Sequence, residues 1–116
     1  MDPDFYNNLA EQLNLKTEIG RKALAIALDN IQTLDRKQQD YGSQNIARHG
    51  ELGVLVRCDD KTARLQNLLK NRKTMVLADD PAECQMAPRN ESILDSWLDL
   101  ANYGIIGAMC HLGEWK

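Results

Sequence analysis

Apolar residues recur at intervals of three and four along most of the chain, which is the spacing of amphipathic helices. The clearest run begins after Thr17, a suitable N-cap, and continues to about Tyr41, where Gly42 favours a helix end. A shorter first helix is expected at about residues 3–14, with Pro3 at its first position. Strand signals are few, because alternating apolar and polar runs are lacking.

Two further long helices are expected in the second half of the chain. One covers about residues 51–71, and the other begins under an N-cap at Asn90 and reaches about His111. The segment 72–90 contains two prolines and is predicted to be a loop, and residues 42–50 are polar and predicted to be irregular.

These elements predict an all-α fold, an antiparallel helical bundle of three long helices plus a short N-terminal helix. At 116 residues the chain is long enough for one modest core but too short for two. We therefore expect residues 1–116 to form a single helical domain.

The last predicted helix carries a line of polar side chains through an otherwise apolar surface. They share one face at 3.6 residues per turn: Glu91, Asp95, Asp99 and Asn102. A helix that is apolar nearly all round is normally buried, and a buried carboxylate needs an ion pair, hydrogen bonds or a metal. Because Mg²⁺ prefers oxygen ligands and couples carboxylates to substrate phosphates, the three acidic residues are candidate magnesium ligands.

The middle predicted helix carries a second polar face, made up of Arg57, Asp60, Lys61, Arg64 and Asn67. One interpretation is a solvated face with an Asp60–Arg64 pair worth about 0.3–0.5 kcal/mol. The other is phosphate binding, to which arginine brings a fork of donors and lysine a point charge. Asp60, Lys61 and Arg64 are candidate catalytic residues, and Arg57 is a candidate ligand-binding residue.

A third polar group ends the long second helix, at Lys37, Asp40 and Tyr41. Structure alone would explain it as a helix terminus before a glycine. Alternatively, the tyrosine would stack on a base while the aspartate bonds to a base or sugar. These three residues are therefore candidate ligand-binding residues, together with Asn102.

Three sequence blocks follow one another in order: Lys37-x-x-Asp40-Tyr41-Gly42, Arg57-x-x-Asp60-Lys61-x-x-Arg64-Leu65-x-x-Leu68 and Asp95-x-x-x-Asp99-Leu-Ala-Asn102-Tyr103. Together they resemble the first of the nucleotide modification associated domain families, small proteins found largely in bacteriophages and bacteria. The resemblance covers about residues 34–110. It implies a role in nucleotide or DNA-base metabolism.

The helical layout is also similar to that of the all-α nucleoside triphosphate pyrophosphohydrolases of the MazG and dimeric dUTPase type. Those enzymes hold Mg²⁺ on Glu-x-x-Glu from one helix and Glu-x-x-Asp from the next. In this chain the middle helix has no Glu-x-x-Glu, and the last helix has Asp95-x-x-x-Asp99 instead.

Three functions follow from these patterns. The first is Mg²⁺-dependent hydrolysis of a (deoxy)nucleoside triphosphate or related nucleotide, with the acids of the last helix holding the metal and Lys61 and Arg64 stabilising phosphate charge. The second is capture of a nucleotide without cleavage, which the incomplete acidic motif favours. The third is a structural helical protein in which Asp95 and Asp99 pair with Arg57 and Arg64 across the bundle.

Composition narrows the partners and the compartment. The net charge of −3 gives no general attraction to nucleic acid, so we expect a nucleotide or nucleotide-derived small molecule as partner and no direct nucleic-acid binding. The three cysteines form no Cys-x-x-Cys pair, and neither a secretory signal nor a membrane-length apolar run is present. A cytoplasmic protein is expected, in the bacterial host if it is encoded by a phage. A homo-oligomer is expected because so small a core gains from burying another face.

Overall fold

The computed structural model describes the backbone of residues 2–77 and 87–116, and the side chains of residues 2–70 and 93–116. Within those ranges the chain is helical and contains no strand, which confirms the predicted all-α class. The helices are α1 (Pro3–Gln12), α2 (Glu18–Tyr41), α3 (Gln44–Ala47), α4 (Gly50–Leu77) and α5 (Ala87–His111). Among the described residues, no helix has both the length and the apolar surface that crossing a membrane requires.

Local sequence signals set the ends of the first two helices. The Asp2 carboxylate accepts a hydrogen bond from the backbone N–H of Asp4 at 3.0 Å, and Pro3 is the first residue of α1. The hydroxyl of Thr17 accepts a hydrogen bond from the backbone N–H of Gly20 at 2.9 Å. After α2, Gly42 has a φ of +70°, a conformation that glycine adopts without strain. The predicted caps are confirmed.

Helix α5 begins earlier than the sequence predicts. It starts at Ala87, so Asn90 lies inside the helix and the prediction that it is the N-cap is wrong. The earlier start places Pro88 at the second helical position. Proline is tolerated in the first turn, where its missing N–H has no intrahelical partner to lose.

Helix α4 continues to Leu77, beyond the predicted end near residue 71. No glycine or proline interrupts the sequence between residues 71 and 77, so nothing in it stops the helix. The predicted loop 72–90 is therefore shorter at both ends. Residues 78–86 lie outside the described part of the chain.

The chain divides into two compact units, Met1–Asp40 and Tyr41–Lys116. In the first unit, the Tyr6 hydroxyl of α1 donates a hydrogen bond to the Asp29 carboxylate of α2 at 3.1 Å. Because α2 belongs almost entirely to this unit, the bundle of three long helices stays a prediction. So does the single domain of residues 1–116.

In the second unit, α4 and α5 pack against each other as an antiparallel pair. Three contacts show the direction, because they run in opposite order along the two helices: Glu51–His111, Val54–Gly107 and Lys61–Asp99. Among the described residues of this unit, the buried apolar side chains are Ile46, Val54, Leu65, Ile93 and Ile106. The antiparallel packing of the last two long helices places their polar faces beside each other.

The segment 42–50 contains the short helix α3, where the sequence predicts irregular structure. Tertiary contacts hold it in place, because Ile46 is only 8% exposed and the indole N–H of Trp115 donates a hydrogen bond to the Ser43 carbonyl at 3.0 Å. These partners are distant in sequence, so the local pattern does not reveal the helix.

Candidate functional site

The polar face of α4 meets α5 at an open depression, here called the basic depression. It has a volume of about 590 Å³ and is lined by Arg57, Asp60, Lys61, Arg64 and Tyr103. The α4 residues are separated by three, one and three positions, so they share one helix face. Three cationic side chains and one carboxylate line the depression. The basic depression therefore offers several donors to an anion.

An ion pair crosses between the two helices beside the basic depression. Lys61 Nζ lies 2.9 Å from Asp99 Oδ2, and the two side chains are 25% and 27% exposed. Asp99 thus meets a cation of the neighbouring helix, here Lys61, whereas the structural interpretation of the sequence named Arg57 and Arg64. Because the pair is partly removed from water, loss of one partner costs more than at a fully exposed pair, and the contact holds the ammonium at the edge of the depression.

The described side chains of α5, at residues 93–111, are less buried than the apolar composition of the helix suggests. Leu94 is 57% and Trp97 is 50% exposed, while the buried positions of the helix include Ile93 and Ile106. Asp95 is exposed as well. The expectation that Asp95 is a buried carboxylate is therefore wrong, because an exposed carboxylate can be solvated by water and does not need an ion pair.

The described carboxylates do not assemble a metal centre. Among the described residues, no group of three or more His, Cys, Asp or Glu side chains is placed to hold a metal ion. Asp95 is exposed and Asp99 binds Lys61, and the side chain of Glu91 lies outside the described residues. The described donor set does not fit Mg²⁺, and a magnesium site formed by Glu91, Asp95 and Asp99 stays a prediction.

The predicted ligand-binding residues are placed differently from one another. Arg57 lines the basic depression, whereas Asn102 is only 6% exposed and has little surface to offer a ligand. Tyr41, at the end of α2, is 73% exposed. Lys37 and Asp40 belong to the first unit, so their role in binding a ligand stays a prediction.

A second depression, which sequence reasoning missed, adjoins the first one. It has a volume of about 430 Å³, is here called the apolar depression, and is lined by His49, Leu52, Gly53, Val56 and Arg57. Arg57 also lines the basic depression, so the two share a wall. The spacing of Leu52, Gly53, Val56 and Arg57 on α4 was a signal that could have revealed the depression.

No family model, curated protein or solved structure matches this chain. The resemblance to the nucleotide modification associated domain family therefore stays a prediction that depends on three sequence blocks. The similarity in helical layout to the all-α pyrophosphohydrolases also stays a prediction.

Proposed function

We propose that this protein binds the phosphate groups of a nucleotide in the basic depression. The observation that carries the proposal is the convergence of Arg57, Lys61 and Arg64 on one face of α4. Arginine binds phosphate oxygens through two parallel N–H donors, and lysine adds a compact positive charge. Tyr103 adds an aromatic ring and a hydroxyl to the same wall.

Capture of the nucleotide without cleavage is the function that this geometry supports best. The net charge of the chain is −3, so attraction to an anion has to come from this local group of cations. No metal-binding cluster lies among the described side chains, and hydrolysis of a phosphoanhydride would need another source of charge neutralisation.

Magnesium-dependent hydrolysis is the second candidate, and Asp60 is the observation that favours it. Its carboxylate lines the basic depression, where it would supply an oxygen ligand next to bound phosphates. Capture and hydrolysis share one binding site, so the same titration examines both.

The proposal extends to assembly and compartment. We propose a homo-oligomer, supported by the exposed apolar side chains of Leu94 and Trp97 on α5. We also propose that the protein acts in the bacterial cytoplasm, in a phage-infected cell if it is phage-encoded, since nucleotide triphosphates are made and consumed there.

The test is calorimetric titration of the wild-type protein with a panel of ribo- and deoxynucleoside triphosphates, with and without Mg²⁺. The variant Arg64→Gln should weaken binding about tenfold or more, because it removes a charged fork from the phosphates. Arg48→Gln is the matched control, since Arg48 is an exposed arginine that does not line the basic depression.

Chromatography of the titrated nucleotide then separates the two candidates. Recovery of intact triphosphate supports capture, and release of pyrophosphate only when Mg²⁺ is present supports hydrolysis. The proposal is wrong if no nucleotide of the panel binds, or if Arg64→Gln and Arg48→Gln bind as the wild type does.

A further inference from the structure

One face of α4 is continuous over four turns and changes from apolar to charged along its length. Its residues follow His49, which directly precedes α4, at alternating intervals of three and one: Leu52, Gly53, Val56, Arg57, Asp60, Lys61 and Arg64. This spacing keeps all of them on one side of the helix. The first half lines the apolar depression, the second half lines the basic depression, and Arg57 belongs to both.

The apolar half has a specific construction around Gly53. A Cβ atom at this position would overlap the Cβ of His49, so the missing side chain lets His49 lie against the helix. The backbone N–H of Gly53 donates a hydrogen bond to the His49 carbonyl at 3.3 Å. Leu52 and Val56 are 76% and 61% exposed beside this ring, although both are apolar. The depression thus presents an imidazole and two aliphatic groups to a ligand.

We propose that the apolar depression holds the base of the nucleotide whose phosphates lie in the basic depression. This inference depends on the proposed function and names a second subsite for the same ligand. Arg57 stands at the junction of the two subsites, where the sugar and the first phosphate of an extended nucleotide would lie. The sequence order of α4 would then match the order of groups in the ligand.

The residues from His49 to Arg64 that line the two depressions are here called the α4 stripe, and its dimensions favour an extended ligand with an anionic tail. At 1.5 Å per residue, Arg57 and Arg64 are separated by about 10 Å along the helix axis, and Leu52 lies about 7.5 Å before Arg57. A single phosphate would occupy only part of the basic half. Each depression is of the size that small-molecule sites usually have, and most such sites join an apolar wall to a few polar groups.

Stacking supplies the affinity expected at the apolar half. The faces of all nucleobases are flat and polarisable, so an imidazole and branched aliphatic groups bind them without strong preference for one base. The exposed apolar area of Leu52 and Val56 would leave water when the base binds.

The test compares ATP with inorganic triphosphate, which carries a similar phosphate chain but no base. Under the same metal conditions, calorimetry should show ATP binding to the wild-type protein at least about fivefold more tightly. In the double variant Leu52→Ala, Val56→Ala, ATP should bind only as tightly as inorganic triphosphate, whose own affinity should not change. Leu55→Ala is the matched control, because Leu55 is 63% exposed on the same helix and lines neither depression.

The two histidines of the chain provide a readout that does not depend on affinity. In a proton NMR spectrum of the protein, ATP should shift the imidazole signals of His49, and inorganic triphosphate should leave them nearly unchanged. Signals of His111, which binds Glu51, serve as the internal reference.

The outcomes distinguish this inference from the proposal on which it depends. Equal binding of ATP and inorganic triphosphate, with no response of His49, overturns the base subsite while the phosphate site stands. Absence of binding by either compound overturns both. If ATP does not bind and the double variant instead changes the protein's mass in solution, the α4 stripe is a protein-binding surface and the base subsite is wrong.

Discussion

The ion pair between Lys61 and Asp99 leads to a prediction in which stability and ligand affinity change in opposite directions. Asp99→Asn keeps the shape of the side chain but removes its charge. Lys61 would lose its carboxylate partner at 2.9 Å and become more available to a phosphate in the basic depression. We therefore expect the Asp99→Asn protein to be less stable than the wild type and to bind a nucleoside triphosphate more tightly.

The loss of stability follows from the exposure of the pair. Exposed ion pairs contribute about 0–1 kcal/mol, and removing one partner of a fully buried pair costs about 3–5 kcal/mol. Because the two side chains are 25% and 27% exposed, we expect a cost between these limits, about 1–2 kcal/mol. For a chain of this length that lowers Tm by roughly 3–10 °C.

The gain in affinity follows from Coulomb's law. A phosphate that contacts Lys61 from the open side would lie roughly 6 Å from the Asp99 carboxylate, where two unit charges repel by about 0.7 kcal/mol in water. Over the several charges of a triphosphate, removing this repulsion gives roughly 1–1.5 kcal/mol. The dissociation constant should then fall about five- to tenfold.

Thermal unfolding and calorimetric titration with a non-hydrolysable nucleotide triphosphate measure the two effects. Asp95→Asn is the matched control, since Asp95 is exposed one turn earlier on α5, and it should change stability by less than about 0.5 kcal/mol. Weaker binding by Asp99→Asn, together with unchanged stability, would refute the reasoning. In a separate assay with a hydrolysable nucleoside triphosphate, Mg²⁺-dependent turnover by the wild type that both variants lose would instead favour the hydrolase.

Three further predictions concern the fold. Val54→Ala should cost about 2 kcal/mol because Val54 is 4% exposed, whereas Val56→Ala at 61% exposure should cost under about 0.5 kcal/mol; chemical denaturation compares them. Trp115→Phe removes the indole hydrogen bond to the backbone of the α3 segment and should cost about 1 kcal/mol, whereas Trp97→Phe removes a half-exposed indole and should cost less in the same assay. Desolvation, and after it the hydrogen bond to the Asp29 carboxylate, raises the pKa of the Tyr6 hydroxyl. The protonated Tyr6 side chain therefore stabilises the fold below the ordinary tyrosine pKa, and this stabilisation is lost as the pH rises through the raised pKa. Melting curves across alkaline pH should therefore fall less steeply for Tyr6→Phe, and identical slopes would contradict the assignment.

Local signals in the sequence were sufficient to predict the helix boundaries that depend on neighbouring residues. Thr17 and Gly42 act within one helical turn, so their effect can be read from residue type alone. The start of α5 was missed because Pro88 was interpreted as a loop residue, although proline also suits a first turn. The α3 segment was missed because its stability comes from Ile46 and a distant tryptophan.

The candidate site was predictable only in part for a similar reason. Spacing alone placed Arg57, Lys61 and Arg64 on one face, and the structure brings them together with Tyr103. Spacing did not show that Asp99 pairs with Lys61 while Asp95 is solvated, because that depends on how α4 and α5 are aligned. An apolar composition likewise indicates how much of a helix can be buried, but not which part another helix covers.

The location of nucleotide binding can be measured directly by titrating the ¹⁵N-labelled 116-residue chain with ATP and following each backbone amide by NMR. We expect the largest shifts at residues 49–64 of the α4 stripe and at 99–103 of α5, growing together along one saturating curve. Shifts concentrated in residues 18–36 of α2, or none at saturating nucleotide, would contradict a phosphate-binding site on α4.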